Sequence, residues 1–120
     1  MTAYYAAVWL DHREAKIYEL LPDGFELNQI KAPRHHLTRK AEEQGRHGDH
    51  AFFHEVAHAL EGAGEVLVVG PSSAKLDFVR HAHQHHPTLD KKIVGVETLD
   101  HPTDNQLVAY VRHYFLTKIR

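Results

Sequence analysis

Thirteen of the 120 residues are histidines and none is cysteine, so metal chemistry in this chain must run through imidazoles and carboxylates. His54-Glu55-Val56-Ala57-His58 has the H-E-x-x-H spacing in which two histidines hold zinc and the glutamate activates water, the device of a metal-dependent hydrolase. In a chain this rich in histidine, chance matches to so short a pattern are common. No third ligand stands at a familiar spacing either, because the next segment reads as a buried strand. His50, His54 and His58 fall on one helical face as i,i+4 pairs able to chelate a divalent ion. The expectation is a solvated face that holds metal weakly. His81, His83, His85 and His86 crowd the end of a second helix, where protonated imidazoles suit the helix dipole. No resident cofactor is expected, a divalent metal such as zinc being the alternative.

Carboxylates give less. A two-metal nuclease needs several acids around one point, and Asp11, Glu97 and Asp100 are too thin a set. Asp11, His12, Ser72, Ser73, Asp100 and His101 all follow strand ends. In open α/β sheets, ligands bind where neighbouring connections leave in opposite directions. These six residues are therefore the candidate small-ligand site.

A third group is basic. Lys31, Arg34, Arg39, Lys40 and Arg46 set five cations against Glu42 and Glu43, with His35, His36 and His47 interleaved. Gly45 and Gly48 permit close backbone approach to phosphates. Residues 32–48 hold few apolar anchors and are expected to form a flexible basic loop that binds RNA. No catalytic residue is assigned there.

These groups need elements to position them. Val66 to Val69 is an unbroken apolar run bounded by glycines, which fits a strand covered on both faces. Gly70-Pro71 ends it, and Ser72 or Ser73 is expected to cap a helix with Leu76, Val79 and Ala82 on one face and Phe78 beside them. That helix stops at Pro87. Tyr4 to Leu10 reads as a central strand, Ala15 to Leu21 as the next, and Phe25 to Ile30 as a polar edge strand after the Pro22-Asp23-Gly24 turn. Asp49 is expected to cap a helix reaching Leu60, with Phe52, Phe53, Val56, Ala57 and Leu60 buried. Ile93 to Leu99 is the last strand. Thr103 and Gln106 make a capping box for a helix that buries Leu107, Val111, Tyr114 and Phe115.

The order β-β-β-α-β-α-β-α predicts an α/β fold of the ribonuclease H-like kind, with three α/β/α layers and a mixed five-stranded sheet in the order 3-2-1-4-5. Length and a 42% apolar content fit a single domain over residues 1–120. A net charge of −2 excludes a uniformly basic nucleic-acid binder but not a local basic patch. No run approaches the roughly 20 apolar residues of a membrane span. The absent cysteines and the lack of a signal peptide lead us to expect a cytoplasmic protein.

Three stretches carry a family resemblance. Val8-Trp-Leu-Asp-His-Arg-Glu-Ala-Lys-Ile-Tyr18 resembles the opening hairpin of the middle domain of archaeal and eukaryotic class-I peptide release factors and of the Pelota rescue factors. Val68-Val-Gly-Pro-Ser-Ser-Ala-Lys-Leu-Asp-Phe78 resembles that domain's strand, Gly-Pro turn and helix. Between them, Pro33-Arg-His-His leads into the basic stretch at the place of the release factors' Gly-Gly-Gln loop. The whole chain, down to Gly95-Val-Glu-Thr-Leu-Asp-His-Pro-Thr-Asp104, is similar to the small bacterial translational machinery proteins. The loop here reads Glu43-Gln-Gly-Arg-His-Gly-Asp49, without Gly-Gly-Gln, so the resemblance does not extend to peptidyl-tRNA hydrolysis. It implies a non-catalytic module that meets the ribosome or structured RNA.

Overall fold

The computed structural model describes residues 4–33 and 45–118, with residues 45–49 and 118 described by their backbone alone. Five strands form one sheet: β1 (Tyr5–Leu10), β2 (Glu14–Leu21), β3 (Gly24–Lys31), β4 (Glu65–Gly70) and β5 (Ile93–Thr98). Their spatial order is β3-β2-β1-β4-β5, as the meander and crossovers predict. β1 pairs antiparallel with β2 and parallel with β4, and β4 pairs parallel with β5. The connections after β1 and β4 leave in opposite directions, so the ends of these two strands form the switch point.

Among the described residues four helices cover the sheet: α1 (Gly45–Leu60), α2 (Ala74–His85), α3 (Pro87–Asp90) and α4 (Asp104–Lys118). Alternation along the central strands divides the core in two. Ala6, Val8, Leu10, Val66 and Val68 face α1 and α2, where Phe52, Phe53, Val56, Ala57, Leu60, Phe78 and Ala82 meet them. Ala7, Trp9, Leu67 and Val69 face α4, packing on Leu107, Val108, Val111 and Phe115. Tyr114 is only partly buried against that second cluster. The expected three layers are present.

Local chemistry differs from expectation in four places. α1 starts at Gly45 rather than at an Asp49 cap; packing of its Phe52-to-Leu60 stripe, not a local cap, carries the helix. Of the two serines expected to cap α2, Ser72 Oγ accepts the Ala74 amide at 3.5 Å, while Ser73 occupies the N-cap without a side-chain bond. Its backbone carbonyl instead accepts the amides of Leu76 and Asp77, both at 3.0 Å. The buried stripe of α2 is Ala74, Lys75, Phe78, His81 and Ala82, while Leu76 is 52% exposed. Lys75 is buried because its ammonium donates to the Ser72 carbonyl at 2.6 Å. Finally, Pro87 does more than stop α2, since it opens α3 at the position where a missing N–H is harmless.

Other expectations hold. The Thr103 amide donates to Gln106 Oε1 at 2.9 Å and the Gln106 amide to Thr103 Oγ1 at 3.2 Å, the reciprocal capping box. Just inside it, Asp104 accepts the Tyr18 hydroxyl at 2.7 Å and so ties α4 to β2. Burial first, and then this carboxylate, holds the Tyr18 phenol far above its ordinary pKa. It therefore stays a donor at any physiological pH. Tyr18→Phe is expected to cost about 1.5 kcal/mol, the worth of a hydrogen bond to a charged acceptor. Urea unfolding followed by the fluorescence of the single tryptophan, Trp9, measures it; an unchanged midpoint rejects the tie.

Candidate functional site

The switch point brings some of its six predicted residues together. His12 Nε2 lies 3.5 Å from Ser73 Oγ, joining the β1–β2 turn to the start of α2. Asp11 is occupied by its own turn, its Oδ1 accepting the amides of Arg13 at 2.8 Å and Glu14 at 2.9 Å. Asp100 pairs with the neighbouring His101 at 2.8 Å, and its carbonyl accepts the Trp9 indole N–H at 2.8 Å. Ser72 spends its carbonyl on Lys75. The loop after β5 is thus pinned over β1. Four cavities of about 240 to 620 Å3 lie elsewhere, and none of the four is lined by these six residues.

The acids behave as structural groups. Glu97 accepts the Tyr110 hydroxyl at 3.5 Å, and Asp11 and Asp100 are engaged as above. Among the described residues, the groups of three whose ligand atoms converge consist of histidines alone.

Those histidines come from two helices. α1 and α2 lie on the same face of the sheet, and His50 and His54 of α1 meet His81 and His85 of α2 and His86 just beyond it. His50 packs edge-on to His81 and to His85, with ring centroids 4.8 Å apart in each case. His54 Nδ1 is 3.2 Å from His86 Nε2. His86 reaches back to α1 because α2 ends and α3 begins there: its amide donates to the Ala82 carbonyl while its own carbonyl accepts the Asp90 amide. Two triads result, His50-His81-His85 and His54-His81-His86, each with ligand atoms within 4.8 Å of one another.

His81 is common to both and differs from the rest. It is 7% exposed, and its Nε2 has no hydrogen-bond partner, an arrangement that costs about 1–3 kcal/mol for a buried polar atom. Burial above all, then the neighbouring imidazoles, lowers its pKa to about 4. His86 is lowered as well, chiefly by burial and then by His54. At the core of the cluster burial thus works against the protonated form that would suit the helix dipole. Sequence reasoning placed His50, His54 and His58 together; in the structure His58 turns to Glu61, 3.3 Å away, and belongs to neither triad. Glu55 is exposed on α1.

Of the basic set, Lys31 is exposed at the end of the edge strand β3. Arg34, His35, His36, Arg39 and Lys40 lie outside the described residues, as do the side chains of Arg46 and His47. The described backbone fixes the two ends of this segment, Lys31 to Pro33 and Gly45. The Ala32 amide donates to the Arg13 carbonyl at 2.8 Å, which holds the first end beside the β1–β2 turn.

No protein-family model matches the sequence, and no curated protein is significantly similar to it. Solved structures do match. Archaeoglobus fulgidus Pelota superposes on 99% of this chain with a TM-score of 0.73 and 19% identity. The archaeal translation termination factor aRF1 covers 81% with a TM-score of 0.60 and 18% identity. Saccharomyces cerevisiae Dom34, a translation termination-like factor involved in RNA quality control, covers 79% with a TM-score of 0.52 and 12% identity. This chain spans only 34%, 30% and 29% of those three proteins. Its mixed five-stranded α/β fold is the fold of the corresponding segment of Pelota, aRF1 and Dom34.

Proposed function

We propose that this chain is a translation-associated, non-catalytic module that binds the ribosome or structured RNA through the basic segment 31–48. The fold likeness to aRF1 and Dom34, a termination factor and a termination-like factor, carries this reading. Charge supports it: the segment holds five Lys and Arg against two Glu in a chain of net charge −2. Its described ends are Lys31, at the edge of the sheet, and Gly45, at the start of α1. Phosphate contacts by Lys31, Arg34, Arg39, Lys40 and Arg46 would position the module, with His35, His36 and His47 adding hydrogen bonds. The absence of Gly-Gly-Gln from the sequence supports a binding role over hydrolysis of peptidyl-tRNA.

Five phosphate contacts make binding weaken by about a hundredfold or more between 50 and 200 mM salt. Co-sedimentation of the purified chain with ribosomes at low salt measures this directly. The variant carrying Arg34→Glu, Arg39→Glu, Lys40→Glu and Arg46→Glu is expected to remain in the supernatant. Equal pelleting of this variant and the wild type rejects the reading, as does failure of the wild type to pellet at all.

A further inference from the structure

We propose that His81, with His50 and His54 of α1 and His85 and His86 at the end of α2, forms a binding site for one zinc-class divalent cation that clamps the two helices together. The site is built from residues apart from the basic segment and stands whether or not the chain meets RNA.

Two independent observations point to a ligand. The first is convergence: five imidazoles from two helices place their nitrogens in two overlapping triads, each within 4.8 Å. The second is His81 itself, buried, with an Nε2 that has no hydrogen-bond partner. A metal ion would satisfy such an atom. Imidazole nitrogens suit Zn2+, Co2+, Ni2+ and Cu2+ and give little to Mg2+ or Ca2+, which prefer oxygen.

One pair of nitrogens already has the spacing of a tetrahedral site. Zinc–nitrogen bonds of about 2.0–2.1 Å set ligand nitrogens about 3.3 Å apart. His54 Nδ1 and His86 Nε2 already stand at 3.2 Å. The wider separations close by rotation of the exposed rings of His50, His54 and His85, while buried His81 serves as the fixed ligand. A cleft of about 390 Å3 lined by Glu61, His85, His86, Pro87, Thr88 and Leu89 opens beside the cluster and gives the ion and its last water a path. His83 and His58 stand outside, paired with Asp90 at 3.0 Å and with Glu61.

The test uses the full chain without an affinity tag, stripped with chelator and titrated with Zn2+ alone in a calorimeter, with a thermal melt in parallel. The wild type is expected to bind one ion per chain and to melt at a higher temperature with it, since the unfolded chain lacks the site. His50→Gln/His54→Gln removes the α1 half of both triads at exposed positions. It is expected to lose at least tenfold in affinity and the rise in melting temperature. His58→Gln/His83→Gln removes two histidines outside the triads and is expected to stay within twofold of wild type. Equal losses in the two variants, several equivalent weak ions per chain, or binding without a rise in melting temperature each mean adventitious surface chelation only and overturn the proposal.

Discussion

Truncating Phe78 to alanine is expected to remove about 4 kcal/mol of stability, the upper range for a large buried side chain whose site cannot collapse. Phe78 is fully buried, packs edge-to-face on Phe53 with centroids 5.7 Å apart, and belongs to the cluster under α1 and α2. Rigid strands form the floor of that cluster and two helices its walls, so the void cannot close without moving β1 or β4. Since a domain of this size holds about 5–15 kcal/mol in total, a large fraction of the molecules approaches unfolding on mild heating. Leu76→Ala is the internal comparison. Leu76 is as apolar in type but more than half exposed, and its loss is expected to cost under about 0.5 kcal/mol. Urea titrations of the two variants, read by Trp9 fluorescence and far-ultraviolet circular dichroism, should differ widely in midpoint. Equal midpoints would place the inner face of α2 on the wrong side.

That contrast also marks where the sequence was legible. Strand order followed from three short-turned strands and two right-handed crossovers, rules of chirality that leave little freedom. The inner face of α1 followed from five apolar residues at helical spacing. α2 was harder because its inner face carries Lys75 and His81, types that composition assigns to solvent. Lys75 is buried only because the carbonyl of Ser72 stands above it, and His81 only because α1 covers it. Leu76 drew the eye and faces water.

The histidine cluster was half legible for the same reason. Each helix showed its own histidines, and each set read as a separate surface. Their meeting depends on both helices lying on one face of the sheet, which the crossover rules imply, and on the break at His86, which they do not. Pro87 ends α2, as its lack of an N–H requires. It is also the first residue of α3, and the turn it imposes swings His86 toward His54. The spacing of i,i+4 histidines on both helices was the usable signal. The cap at Ser73 failed differently, because the backbone carbonyl of Ser73 supplied what its hydroxyl was expected to give.

Gly70→Ala is expected to cost about 3 kcal/mol, a severe case of overpacking, and the cause is the neighbouring strand rather than the turn. Gly70 is the buried last residue of β4, and a Cβ there would run into the carbonyl oxygen of Leu10 at the end of β1. Neither side can yield easily. β1 is held beside β4 by parallel pairing up to Trp9 opposite Val69, and the Gly70 carbonyl accepts the Leu99 amide at 3.1 Å. A methyl group at 70 must therefore part β1 from β4 or loosen the loop after β5, which also holds the Trp9 indole. Gly24→Ala is the matched control: a Cβ at Gly24 meets nothing within 4 Å and no glycine among the described residues adopts a positive φ, so the change is expected to stay within about 0.5 kcal/mol. If denaturant melts show equal effects at 24 and 70, the close approach of β4 to β1 is not what requires glycine. If they separate as expected, the glycine before Pro71 is set by strand packing alone, and it needs no phosphate or ligand at the switch point to account for it.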